Sequence, residues 1–340
     1  MKNTLKTIGK YLLFIAIAGT LLFLAFKNTD PQQLWQDLKK ADYSYVLLSM
    51  VMGYVAIVSR GARWLLMLEP LGYKAKFWNS VHSVSVLYIV NLAVPRAGEL
   101  ARCTSMNQVE DIPIDKLFGT VLLERVIDFV MLFLVMGTAF ILHFDDFFSL
   151  FNLTFTNSDT AAEESSNTLK YIALGGAAVF GLVFLIFRKR IINHPKFAPV
   201  RSFLNGVKEG FKTFGQMKRK GAFIGHTLLI WVLYFLMVYV VFFSLDATSH
   251  LTLSDGLFIM MAASLGIVVP VPGGWGAYHY FVTMALLVLG VERENGLTFA
   301  TIVHSSQTLM LLLTGLLAFI FLYFERRKTG KLKGKANGAS

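Results

Sequence analysis

Asn91-Leu92-Ala93-Val94-Pro95-Arg96-Ala97-Gly98-Glu99-Leu100-Ala101-Arg102 breaks one apolar run of this chain, and Pro270-Val271-Pro272-Gly273-Gly274-Trp275-Gly276-Ala277-Tyr278-His279 breaks another. Backbone groups freed by such interruptions survive at membrane depth only where they line a cavity or are buried in protein. Paired interruptions in the two halves of a membrane protein therefore point to its binding site. Function is expected at these two breaks.

Composition makes lipid the solvent. Of 340 residues, 55% are hydrophobic and 14% aromatic, with a mean hydropathy of +0.58. Several runs approach the roughly 20 apolar residues that cross a bilayer. The formal charge of +11 comes from basic residues beside apolar segments, where anionic lipid headgroups account for it. No nucleic-acid-binding motif is present, and no nucleic acid is expected as a partner. A single cysteine, Cys103, allows neither an internal disulfide nor a CxxC site. The first apolar run follows Lys2, Lys6 and Lys10 and ends in the polar stop Lys27-Asn28-Thr29-Asp30. Without a small-residue cleavage site it reads as a retained helix.

The hydropathy pattern predicts an all-α polytopic membrane protein. Six full transmembrane helices are expected at about Tyr11–Phe26, Tyr43–Leu66, Lys116–His143, Leu169–Phe187, Ala222–Leu245 and Leu297–Phe324. Two re-entrant helix hairpins, at about 81–107 and 254–289, meet at the breaks, because each holds two apolar pieces too short to span. With a cytoplasmic N-terminus, the outer side receives only Lys27, Lys39, Lys40, Lys170 and Arg293 of the 32 basic residues, which obeys the positive-inside rule. Three crossings per half then make the halves an inverted repeat, with the hairpins entering from opposite faces.

The resulting organisation is a first membrane repeat at 1–143, an extracytoplasmic loop at 144–168, a second repeat at 169–324 and a disordered basic cytoplasmic tail at 325–340. Residues 188–220 hold ten basic residues among Ile191, Phe197, Phe203, Leu204 and Phe211, and form an interfacial amphipathic segment or a solvated connection.

The candidate site residues are ionisable groups inside these apolar runs, where an isolated charge costs several kcal/mol unless it is paired or hydrated. Arg96, Glu99 and Arg102 are spaced to share a helical face, and Glu124 and Asp128 are i, i+4 neighbours flanking Arg125. Arg96 and Arg102 offer planar forks matched to phosphate oxygens, with the carboxylates holding them or carrying a coupling proton. The alternative is a structural ion-pair network that pins the hairpin. Arg60, Arg63 and Trp64 end the second crossing, either as snorkelling anchors or as receivers of headgroups at the cytoplasmic mouth. Pro272, Gly273, Gly274 and Gly276 offer backbone amides to an anion, and His279 serves packing, a proton or a headgroup. His304 and Gln307 are accounted for by interhelical hydrogen bonds. No Walker, HExxH, GxSxG or metal-ligand spacing is present, so no cofactor and no metal is expected.

The succession Arg60-x-x-Arg63-Trp64, Pro95-Arg96-x-Gly98-Glu99-x-x-Arg102, Glu124-Arg125-x-x-Asp128 and Pro270-x-Pro272-Gly273-Gly274-x-Gly276 resembles the lysylphosphatidylglycerol synthase transmembrane-region family of flippase-like membrane proteins. The resemblance covers about Lys10 to Phe324. It implies movement of a lipid across the bilayer. In the best-understood members this domain is implicated in moving an aminoacylated phospholipid, while a separate soluble domain performs aminoacyl transfer. That transferase is not expected in this chain, and where many relatives carry Glu after the last glycine it has His279. The expected function is translocation of a phosphate-bearing lipid, either a modified phospholipid or a polyprenyl-phosphate-linked sugar, in the inner membrane. The partners are lipids with anionic or phosphate headgroups. A separate lipid-modifying enzyme and a homo-oligomer are compatible partners. The alternatives are an intramembrane transferase or hydrolase using Glu99, Glu124 or Asp128, and a non-transporting partner of a lipid synthase.

Overall fold

Two aspartates cap the pair of helices that follows the helical stretch 18–26. The Asp30 carboxylate accepts the Gln32 amide at 2.9 Å, capping α1 (Pro31–Lys40). Asp42 accepts the Ser44 hydroxyl at 2.6 Å and its amide at 2.9 Å, capping α2 (Tyr43–Leu68). These bonds, the hydroxyl's first, hold the Asp42 carboxyl below the ordinary aspartate range. The computed structural model describes residues 16, 18–27, 29–155, 215, 217–269 and 271–328. Every regular element among them is helical: α3 (Phe77–Ala93), α4 (Gly98–Glu110), α5 (Ile114–Leu142), α6 (Phe144–Phe155), α7 (Lys220–Tyr239), α8 (Leu253–Val268), α9 (Ala277–Val288) and α10 (Arg293–Lys328) follow.

Four helical stretches among the described residues are long and apolar enough to cross a membrane: Tyr43–Leu71, Ile114–Leu142, Lys220–Ser244 and Arg293–Lys328. They coincide with four of the six expected crossings. The expected crossing at 11–26 is described only in part and is helical over 18–26. The crossing at 169–187, most of the amphipathic segment at 188–220 and the tail beyond Lys328 lie outside the described residues. The outer surface is inverted relative to a water-soluble protein. Phe133, Leu134 and Ile141 on α5 and Leu312, Leu316 and Leu317 on α10 are exposed, an apolar belt that water would not tolerate.

Both breaks form helical hairpins. The first pairs α3 with α4, 17 and 13 residues long, and the second pairs α8 with α9, 16 and 12 residues long. Each limb is shorter than the roughly 20 residues of a full crossing. At the first tip Asn91 Oδ1 accepts the Gly98 amide at 2.8 Å. A Cβ on Gly98 would stand 2.1 Å from the Leu87 carbonyl oxygen, so only glycine lets the two limbs close. At the second tip Gly273, Gly274 and Gly276 have φ of +59°, +76° and +80°, a left-handed region that other residues rarely adopt.

The ends of the bundle are tied separately. At one end Lys76 ion-pairs with Glu325, Arg219 Nη1 lies 3.5 Å from Glu69 Oε1, and Glu110 Oε1 accepts the Lys76 amide at 2.9 Å. The last bond closes the base of the first hairpin. At the other end the Asp42 amide donates to Ser244 O at 2.9 Å, and His143 Nε2 lies 3.7 Å from Asp255 Oδ1 at the start of α8. Since α2 runs from Asp42 at one end to Glu69 at the other, the hairpins open towards opposite ends, and their tips meet between them. A Cβ built on Gly273 would lie 3.4 Å from Leu92 Cδ2.

Two segments depart from expectation. The stretch read as an outer loop from Phe144 begins with α6, whose Phe148 and Leu150 are buried. The His143 backbone turns the chain there while its ring bonds Asp146 at 2.7 Å. The tail read as disordered from 325 stays helical to Lys328, held by the Lys76–Glu325 pair.

Candidate functional site

Seven charged side chains from three helices converge on one point. Arg60 and Arg63 come from α2, one turn apart and on one face. Glu99 and Arg102 repeat that spacing on α4, while Glu124 and its neighbour Arg125 lie about one turn before Asp128 on α5. Glu124 is the centre. Its Oε1 accepts Arg60 Nε at 3.1 Å and Arg60 Nη2 at closer range, with Arg125 Nη2 at 2.8 Å. Its Oε2 accepts Arg102 Nη2 at 2.8 Å, while Arg63 Nη2 stands 3.4 Å from Oε1. Asp128 takes Arg63 Nη2 at 2.8 Å and Arg125 Nη2 at 3.1 Å. Glu99 Oε1 lies 3.3 Å from Arg125 Nε.

Aromatic and hydroxyl groups complete the shell. Arg60 Nη1 donates to Tyr88 Oη at 2.5 Å, and that hydroxyl meets Tyr234 Oη at 2.9 Å. Arg63 Nη1 donates to Thr227 Oγ1 at 3.2 Å. The Arg102 guanidinium stacks 4.0 Å above the Trp64 ring, whose Nε1 donates to Thr120 Oγ1 at 2.8 Å. Tyr88, Tyr234, Thr227 and Thr120 escaped the sequence reading, since a lone Tyr or Thr on an apolar helix carries no signal of its partner.

Charge and geometry give this cluster two properties. Four guanidinium groups face three carboxylates, leaving one positive charge in excess at a site where Arg63, Arg102 and Glu124 are wholly buried. The pairing is also incomplete in hydrogen bonds: Arg102 Nε, Arg125 Nε and Glu99 Oε2 are buried without an aligned partner. One edge is open. The Arg125 side chain is 40% exposed beside Glu99 and Asp128. An anion entering there meets a guanidinium fork already held in place by carboxylates.

The second break builds a different environment. Gly273 O accepts a hydrogen bond from His304 Nε2 at 2.8 Å. His279, Trp275 and Tyr278 gather around that imidazole, with ring centroids at 4.9, 5.1 and 5.1 Å. The Gly274 amide, expected to face an anion, instead donates to Val271 O at 3.2 Å, and α9 starts only at Ala277.

The sequence profile described as "Lysylphosphatidylglycerol synthase TM region" matches residues 11–315. The chain belongs to this family. A UPF0104 membrane protein of Methanocaldococcus jannaschii is 22% identical over 363 residues, covering 98% of each chain. Another, from Pyrococcus horikoshii, is 22% identical over 304 residues, covering 84% of this chain and 88% of the relative. Glycosyltransferase AglD of Haloferax volcanii is 25% identical over 334 residues, which is 90% of this chain but 53% of that protein. No solved structure matches.

Within this lysylphosphatidylglycerol synthase TM-region protein the structure sorts the expected site residues. Glu99, Arg102, Glu124, Arg125 and Asp128 come together as expected, and Arg60 and Arg63 join them. The snorkelling reading of the α2 arginines is corrected: Arg60 is 5% and Arg63 0% exposed, and Trp64 is fully buried rather than interfacial. Glu124 and Asp128 draw these arginines inward, since pairing offsets the desolvation of a buried charge. Arg96 stays apart. It is exposed at φ +67°, and no hydrogen bond or ion pair reaches it among the described residues. Pro272, Gly273, Gly274 and Gly276 shape the turn under His279 and His304. His304, read as ordinary interhelical bonding, does bond across elements, and to the break itself.

Proposed function

We propose that this membrane protein translocates a phosphate-bearing lipid, gripping the phosphate at the Arg125 edge of the charged network. The observation that carries this reading is the excess guanidinium in a buried seven-residue cluster whose open edge is Arg125. A phosphate there takes the place of a Glu99 or Asp128 carboxylate at Arg125, and its charge is met by the one guanidinium in excess. The hairpins support movement rather than static binding. Their bases lie at opposite ends of the bundle and their tips meet between, which is the arrangement that alternating access to a mid-depth site uses. The resemblance to part of a glycosyltransferase favours a lipid-linked sugar among phosphate-bearing lipids. In the cell we place the protein in the inner membrane with both termini cytoplasmic.

The test is transport by purified protein in liposomes. Phospholipids and polyprenyl phosphates with a fluorescent tail label are followed by protection from an impermeant quencher. Expected is protein-dependent movement of at least one phosphate-bearing lipid, abolished by Arg125→Ala in protein that still runs as a single folded species. Chemical turnover of the lipid without movement would favour the transferase or hydrolase alternative. Movement unaffected by Arg125→Ala would remove the network from the mechanism.

A further inference from the structure

The box formed at the second break contains buried polar atoms without a hydrogen-bond partner among the described residues. Since the Gly273 carbonyl only accepts, its 2.8 Å contact with His304 Nε2 puts the hydrogen on that nitrogen. The neutral ring then presents a lone pair at Nδ1. His304 Nδ1, His279 Nδ1 and Tyr278 Oη have no hydrogen-bond partner among the described residues. Yet the three side chains are only 6%, 1% and 3% exposed. Folded proteins leave few buried polar groups unpaired, and each such group needs an explanation. Three in one aromatic box point to a polar ligand.

The chemistry of the box restricts that ligand. Among the described residues no Asp, Glu, Lys or Arg side chain makes a hydrogen bond or ion pair with His279, His304 or Tyr278. No ion pair is offered, so the bound part is uncharged. Imidazole lone pairs accept and the tyrosine hydroxyl both donates and accepts, a set suited to hydroxyl groups. Trp275, 41% exposed, stacks near His279 with centroids 6.0 Å apart and offers an apolar face beside them. Pockets for small polar ligands share this make-up of aromatic walls and a few placed polar atoms.

We propose that this box binds an uncharged, polyhydroxylated headgroup carried by the same lipid whose phosphate sits at the Arg125 edge, an inference that rests on the phosphate reading above. Helix α3 links the two places. Tyr88 belongs to the charged network, and Leu92, one turn or about 6 Å further along, packs at Gly273. The helical stretch 18–26 covers the box from outside. Its Phe26 ring stands 5.8 Å from His279, and a Cβ on Gly276 would stand 2.6 Å from Ala18 O. The headgroup therefore enters as that stretch moves aside.

The experiment compares two probes on the full-length protein in phosphatidylcholine nanodiscs: undecaprenyl phosphate, and the same lipid with one hexose on the phosphate. A site that hydrogen-bonds hydroxyls discriminates against the analogue that lacks them. The hexose lipid is expected to bind at least about tenfold more tightly. His279→Phe keeps a ring and leaves the His304–Gly273 bond intact, so it should erase that difference while leaving undecaprenyl phosphate affinity unchanged. Trp275→Leu, at a half-exposed position, gives the same comparison if His279→Phe fails to fold. Equal affinities for the two probes, or a difference that survives both variants, overturn the proposal while the phosphate reading stands. Failure of both probes to bind overturns the phosphate reading, and this inference with it, whereas binding of undecaprenyl phosphate alone overturns only this inference.

Discussion

Arg102 Nη2 donates to Glu124 Oε2 at 2.8 Å, and solvent reaches neither side chain. The pair joins α4, the returning limb of the first hairpin, to the spanning helix α5. Removing one member leaves the other as an unpaired charge in an apolar interior, which is far more destabilising than the net worth of the pair.

Glu124→Gln is therefore expected to destabilise the protein by about 3–5 kcal/mol, because Arg60, Arg63 and Arg102 all lose their common counter-ion. Cys103 is fully buried and reports unfolding through a thiol-reactive dye in detergent. The melting midpoint should fall by several degrees, and an unchanged midpoint would contradict the central role of Glu124.

Arg96 and Arg125 are separated by their surroundings. Arg96 has a positive φ of 67°, a conformation that costs a non-glycine residue about 1–2 kcal/mol. Arg96→Gly should raise the melting midpoint. Arg96→Ala should change binding of a phosphate-bearing lipid by less than about twofold, whereas Arg125→Ala loses a charge-assisted contact worth about tenfold or more. The reverse order of effects would return the phosphate grip to the break itself.

Gly98 and Gly119 test the close approach at the first hairpin. A Cβ on Gly98 meets Leu87 O at 2.1 Å, while one on Gly119 meets nothing within 4 Å. Gly98→Ala should destabilise by about 1–3 kcal/mol through forced separation of α3 and α4. Gly119→Ala should be neutral or stabilise by about 0.5–1 kcal/mol, since alanine favours a helix interior. Thermal unfolding of the two variants side by side decides it.

The proposed orientation is open to labelling. In a Cys103→Ala background, single cysteines at Ser158 and Ala336, both outside the described residues, are exposed to an impermeant thiol reagent on intact cells. Ser158→Cys should react and Ala336→Cys should not. The opposite pattern inverts the topology.

Hairpins and spanning helices were legible in the sequence because they depend on local quantities. Apolar length separates a crossing from a half-crossing, and Pro95, Pro272 and the glycines around them stop a helix wherever the rest of the chain lies. The same holds for Glu124 and Asp128, whose spacing puts them on one face of any helix that contains them. What the neighbours do to a side chain is not local. Arg60 and Arg63 at the end of an apolar helix look the same in sequence whether they snorkel to water or turn inward. Only the packing of α2 against α5 and α7, which brings Glu124, Asp128 and Thr227 within reach, decides for burial. Arg96 failed in the opposite sense, since the left-handed turn at the first tip carries it away from the face that Glu99 and Arg102 share. The Gly274 amide was consumed by its own turn, while His304, 30 residues further on, reached the Gly273 carbonyl. Burial of charge is settled by pairing energies across elements, and those exist only once the helices have packed.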